Sequence, residues 1–331
     1  MKDISIIGKK KFNLKSFFFQ WEWMLVLIFI IINIINTCLT PYYLDPKQLI
    51  DATMTFLDKA FIVFPMVFVL ILGDIDISVA STVALSAVVM AVTFNMGLPL
   101  VLAMILCLAV GAVCGFLNGL LIVKFKELSA VIVTLATMII YRGIAYIILE
   151  DQASGKFPEW YSFLGWGYVG SVPFILIAFA VFAVIFGLLL HKTTFGRRVY
   201  AMGNNITASR FSGVQVDKIK VIVFTLAGFM AAVTAIFLTS RMGSTRPNVA
   251  SNYELDVIAM AVLGGVSSSG GKGRMVGAII SVFLIGFLRY GLGLKNVPAQ
   301  ALLIIIGLLL IFAVAIPNLK FNFKKPGKVQ S

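Results

Sequence analysis

At 331 residues, 60% of them hydrophobic and only 12% charged, the chain has a mean hydropathy of +1.02 and far more apolar side chain than one soluble core can bury. A formal net charge of +13 would suit a nucleic-acid partner, but the basic residues form short clusters between apolar runs and not one basic face with interleaved aromatics, the pattern of a positive-inside membrane protein. Cys38, Cys107 and Cys114 sit inside apolar segments without a CxxC pattern, and His191 is the one histidine, which argues against a disulfide framework and a structural metal.

Crossing a hydrocarbon core of roughly 30 Å takes about 17 to 25 mostly apolar residues in a helix. In chain order the segments of that character are 23–40, 56–72, 78–96, 98–122, 129–149, 172–190, 219–240, 254–264, 276–292 and 299–316. The expected fold class is therefore all-α, a polytopic membrane protein of about ten transmembrane helices within a single domain over 1–331. The first run is too long for a signal peptide and lacks a small-residue cleavage site before Pro41 and Tyr42, so it reads as a retained helix. The eighth is too short to cross unaided, and the glycine-rich run behind it breaks a helix. It is expected to be re-entrant or to lean on its neighbours.

Lys and Arg set the orientation. With the N-terminus inside and ten crossings, the inside holds five before the first span, Lys124 and Lys126, six between 191 and 220, Lys272 and Arg274, and four in the C-terminal tail. The outside holds seven, Lys47, Lys59, Arg142, Lys156, Arg241, Arg246 and Lys295, and Arg289 lies within the ninth span. Both termini are thus expected in the cytoplasm, as short basic tails over 1–22 and 318–331.

The longest inside loop, 191–220, carries helix signals of its own and is where a soluble partner is expected to dock. Asn204 or Asn205 can cap a short helix, 208–212 fits one or two turns, and Gly213 stands where a helix stops.

Leu72-Gly73-Asp74-Ile75-Asp76-Ile77-Ser78 places two carboxylates two residues apart at a span boundary, ahead of a serine. Either the acids and Ser78 cap the third span, or the segment is a broken-helix element near a transport path. Gly264-Gly265-Val266-Ser267-Ser268-Ser269-Gly270-Gly271-Lys272-Gly273 fails as a phosphate loop, since the required first glycine falls on Val266 and Gly273 follows the lysine. Its glycines suit close helix approach, a folded-back loop or a plain flexible connection.

Few ionisable groups are evident within the spans. Arg289, beside Tyr290, reads as snorkelling to a span end, Arg142 as an interfacial partner of Glu150, and His191 as an interfacial residue. Asn118, Thr134, Thr137, Thr225, Thr234 and Thr239 can bond a hydroxylated solute or another helix. The chain thus has the body of a transporter without a nucleotide site or an ion-coupling network, so its energy is expected from a partner.

Several stretches are similar to a known family. Gly73-Asp74-Ile75-Asp76-Ile77-Ser78-Val79-Ala80-Ser81 resembles a Gly-Gly-Ile-Asp-Leu-Ser-Val-Gly-Ser-like run, with Asp74 and Ala80 in place of two glycines. Thr194-Phe195-Gly196-Arg197, Ala201-Met202-Gly203-Asn204-Asn205, Ala208, Ser212-Gly213-Val214, Tyr253-Glu254-Leu255-Asp256-Val257-Ile258-Ala259 and Val262-Leu263-Gly264-Gly265 with Gly270-Gly271 follow in the same order. By these residues the chain resembles the permease family of bacterial ABC importers for ribose, other monosaccharides, rhamnose and autoinducer-2.

The resemblance implies a bacterial inner-membrane importer of a sugar-like solute, with a second permease as homodimer or heterodimer, ATP-binding subunits on 191–220 and an extracytoplasmic binding protein. ATP would be bound and hydrolysed by the partner, so this chain needs no cofactor, metal or catalytic residue. Asn204, Asn205, Ala208, Arg210, Phe211, Ser212 and Gly213 would couple to the ATPase, and Gly73, Asp74, Asp76, Ser78, Asn118, Gly264 and Gly265 would line the gate or path. The segments 41–55, 150–171 and 241–253 form the candidate binding-protein surface, where Arg241 and Arg246 would meet carboxylates. Two rivals stand beside this reading: an ion-coupled secondary transporter, and an intramembrane enzyme using Asp74 and Asp76 as an acid–base pair.

Overall fold

A computed structural model describes residues 21–150 and 152–318, so the basic tails expected over 1–22 and 318–331 lie almost wholly outside the described residues. Helices dominate: α1 (Trp21–Leu39), α2 (Pro46–Ala60), α3 (Val63–Ile71), α4 (Val79–Asn95), α5 (Leu100–Lys124), α6 (Ala130–Leu149) and, after a loop, the short α7 (Phe163–Trp166). There follow α8 (Phe174–Lys192), α9 (Thr194–Asn204), α10 (Ile206–Phe211), α11 (Val216–Met242), α12 (Tyr253–Leu263), α13 (Met275–Leu294) and α14 (Ala299–Asn318). Two-residue antiparallel ladders join β1 (Ser154–Gly155) to β4 (Ser244–Thr245) and β2 (Tyr168–Val169) to β3 (Val172–Pro173).

Among the described residues six helices, α1, α5, α6, α8, α11 and α13, are long and apolar enough to cross a membrane, and α2 with α3 makes a seventh if counted as one bent span. The lipid-facing character of α1, α6 and α8 is plain from Leu27, Ile34, Ile139, Ile147, Val184 and Leu188, all exposed. Such faces would be unfavourable in water and cost nothing against acyl chains. The core lies on α3, where all nine residues are buried, and on the second half of α11.

The second expected span needs correction. Its helix begins ten residues before 56, at Pro46, where proline suits the first helical position and Asp45 accepts the Lys47 N–H at 2.9 Å. Residues 46–55, assigned above to an external surface, are the first ten of the fifteen residues of α2. The rod then bends by 44° between α2 and α3. Pro65 is the cause: it has no N–H for the Phe61 carbonyl, and its ring crowds that oxygen. Rings fill the bend, with Phe61 stacked on Phe237 of α11 at 4.7 Å and Phe64 against Phe179 of α8 at 4.9 Å.

The closest helix crossing joins α5 to α11. Gly111, Gly115 and Gly119 recur every fourth residue on one face of α5, opposite Gly228. A Cβ on Gly228 would lie 2.1 Å from the Gly111 carbonyl, and one on Gly115 would lie 2.2 Å from the Phe224 carbonyl. Backbones this close require glycine on both sides.

Candidate functional site

At one end of the bundle, α9 and α10 form a capped elbow between α8 and α11. Thr193 caps α9 by accepting the Gly196 N–H at 3.2 Å. Asn205 caps α10 by accepting the Ala208 N–H at 2.9 Å, and Gly213, at φ +79°, ends the turn. The alternative cap, Asn204, instead closes α9 and donates to the Tyr200 carbonyl. Ser212 donates to the Ala208 carbonyl, Arg210 pairs with Asp217 at 2.7 Å, and Phe211 stands 89% exposed.

The elbow is braced from behind. Tyr200 donates to the Gly273 carbonyl at 2.6 Å, and Gly271 N–H donates at 2.8 Å to the carbonyl of Ile71, the last residue of α3. Gly203 is pressed so close to Ile71 that a Cβ there would lie 1.8 Å from its carbonyl. The glycine-rich run therefore joins α9 to the end of α3. Nearby, Gly264 abuts Ala278 of α13 and Gly265 abuts the ring of Trp21, whose indole N–H donates to the Leu263 carbonyl. His191 accepts the Met275 N–H at 3.2 Å.

Asp74 and Asp76 part company. Asp74 pairs with Lys220 of α11 at 2.6 Å, whereas buried Asp76 accepts the N–H and hydroxyl of Ser78 at 2.9 and 2.6 Å. The Ser78 hydroxyl also accepts from Asn118 at 2.7 Å, and Asn118 accepts from Tyr141 at 3.0 Å. Capping by these acids is thus corrected: Asp74 reaches across to α11, and Ser78 spends its hydroxyl on Asp76 without capping α4. Separate partners also remove the paired acids that an acid–base enzyme would need. Gly73, Asp74, Lys126, Thr207, Phe211 and Lys220 border a cavity of about 610 Å³ beside the elbow.

At the other end of α11 lies an ionic cluster that the sequence reading missed. Lys59 and Arg289 converge on Asp256, the lysine at 2.7 Å, and Arg241 grips fully buried Asp58 at 2.6 Å. The Lys59 ammonium also sits 4.9 Å over the Tyr253 ring. Three expectations change with it. Arg289 does not snorkel but pairs with Asp256. Arg142 ignores Glu150 and donates to the Pro247 and Val249 carbonyls at 2.6 and 2.7 Å. Arg241 is paired with Asp58 and only partly exposed, whereas Arg246 is exposed. The available signal was Asp58-Lys59 inside the second apolar run and Asp256 inside the eighth.

The hydroxyls expected to serve a solute or a helix all meet protein. Thr134 accepts the Ile77 N–H, Thr234 donates to the Asp58 carbonyl, Thr239 meets the Tyr161 hydroxyl, and Thr137 and Thr225 bond within their own helices.

A family model described as the permease component of branched-chain amino acid transport systems matches residues 49–314. The chain is 39% identical to the ribose import permease protein RbsC of Bacillus subtilis over 298 residues, covering 89% of this chain and 91% of the relative. It is 34% identical to the Haemophilus influenzae RbsC and 32% identical to the autoinducer 2 import system permease protein LsrD of Salmonella typhimurium, with the same shares covered. No solved structure matches it. The apolar helices, the family match over residues 49–314 and these relatives agree: this is a multi-pass membrane protein that belongs to the permease family of ABC importers that includes the ribose and autoinducer-2 permeases.

Proposed function

We propose that the chain is the membrane-spanning subunit of an ATP-driven importer in the bacterial inner membrane, passing a sugar or sugar-like solute of the ribose, rhamnose or autoinducer-2 class received from an extracytoplasmic binding protein. The observation that carries the reading is the elbow: a six-residue helix with Phe211 projecting 89% exposed, braced through Gly271 and Gly203 on the end of α3. A soluble ATPase that closes on Asn205, Ala208, Arg210, Phe211, Ser212 and Gly213 moves a rigid lever and not a floppy loop. Asn204 ties that lever to α9. The segment from Gly73 through Asp74 and Asp76 to Ser78, with Asn118, Gly264 and Gly265, then forms the gate next to it.

In this reading the chain crosses the membrane ten times with both termini in the cytoplasm, pairs with a second permease, and meets the binding protein through Arg246. ATP hydrolysis belongs to the partner, and the chain itself is not an enzyme. The ion-coupled rival draws on the buried charges near α12, yet Asp58 and Asp256 each have a cation partner, leaving neither vacant for a coupling ion.

The test is co-purification with an ATP-binding subunit and a binding protein, then reconstitution in vesicles. Uptake of labelled solute is expected only with ATP, and Phe211→Ala is expected to lower it about tenfold while ATPase activity persists. Uptake driven by an ion gradient without ATP, or unchanged in Phe211→Ala, would overturn the reading.

A further inference from the structure

The 27 residues of α11 rise about 40 Å, so its far end is remote from the elbow. There a cavity of about 410 Å³ opens among Arg241, Ser244, Thr245, Arg246, Asn248 and Tyr253. Two independent features mark it. Thr245 is 1% exposed, and its hydroxyl has no hydrogen-bond partner among the described residues, an unfavourable state that a ligand hydroxyl or a water would relieve. Ala250 and Asn252 hold left-handed backbones at φ +57° and +68°, a conformation side-chain-bearing residues adopt at a cost and keep where the surroundings enforce it.

The enforcement is visible. Arg142 of α6 pins the Pro247 and Val249 carbonyls, and β1 sets Ser154 opposite Thr245. The wall is therefore rigid before any ligand arrives, which lowers the entropic cost of binding. Its polar groups, set among Leu238, Met242 and Val249, are hydroxyl, amide and guanidinium: Arg241 is balanced by Asp58, while Arg246 stands exposed at the rim.

We propose that this cavity is a solute subsite of the permease itself, taking a hydroxyl-rich solute that is neutral or anionic. Thr245, Ser244 and Asn248 meet the solute hydroxyls, and the guanidinium of Arg246 turns cations away. The proposal rests on the import reading and locates, within one chain, a point where the solute pauses after delivery.

A reporter thiol tests it. Ser251→Cys, at the exposed rim of the cavity, is placed in the full-length Cys38→Ser chain in nanodiscs, and its rate of maleimide labelling is followed. D-ribose is expected to slow labelling and choline is not. Adding Thr245→Val is expected to raise the ribose concentration for half-protection about fivefold, with the unprotected rate unchanged as the check of folding. Adding Arg246→Ala, on an exposed side chain, is expected to let choline protect as well. Labelling indifferent to D-ribose overturns the subsite, as does protection that neither variant alters. ATP-driven ribose uptake by the reconstituted complex is measured alongside. Uptake without protection removes the subsite alone, whereas protection without ATP-driven uptake supports the subsite and removes the import reading.

Discussion

At the residue scale, burial decides what a charge is worth. Asp256 pairs with both Lys59 and Arg289 where its own side chain is only 8% exposed, so Asp256→Ala strands the buried Lys59 cation without its partner and frees the partly exposed Arg289. A loss of about 3–5 kcal/mol is expected, read as a large drop in thermal unfolding temperature in detergent. Asp217 holds Arg210 at the same 2.7 Å but with both side chains about half exposed, and Asp217→Ala is expected to change stability by about 1 kcal/mol or less. Equal losses in the two variants would show that the cluster near α12 is not buried as described. The cluster escaped the sequence because its partners are far apart in the chain, 183 residues for Asp58 with Arg241 and 197 for Lys59 with Asp256. Nothing local to Arg241 distinguishes a cation held by Asp58 from one offered to a partner protein.

At the element scale, the crossing of α5 and α11 depends on missing side chains. Gly228→Ala inserts a methyl where the Gly111 carbonyl stands 2.1 Å away, and the two helices must separate. Destabilisation of roughly 1–3 kcal/mol is expected, measured by thermal denaturation, and an unchanged midpoint would show that the helices do not cross there. The repeat of Gly111, Gly115 and Gly119 at intervals of four was readable as a packing face, though its partner helix was not. The ends of α10 were largely legible because their determinants are local: Gly213 stood at the stop, and only the choice between Asn204 and Asn205 as cap waited on the structure, where Asn204 turns back to the Tyr200 carbonyl. The bend after α2 was half legible. Pro65 stood in the apolar run, but the ten residues of α2 before 56 are amphipathic, so continuous apolarity marks the span only from 56.

At the scale of the whole molecule, the proposed topology makes a direct prediction. Alkaline phosphatase fused after residue 160 is expected to be active and after residue 212 inactive, with a fluorescent-protein fusion showing the reverse. Phosphatase activity at 212 would put the elbow outside and end the coupling assignment. Composition by itself determined that this chain belongs in a bilayer, and its apolar runs placed most of the long helices, though not the start of α2, since transfer energies and local hydrogen bonding need no partner. The order of motifs determined the family. Only the tertiary structure decided which buried charges neutralise one another, that Asp74 reaches Lys220 while Asp76 turns to Ser78, and that Thr245 keeps an unanswered hydroxyl beside a rigid cavity. Those are pairings between distant parts of the chain, and their energies exist only once packing has brought the groups together and excluded the medium that would otherwise screen them.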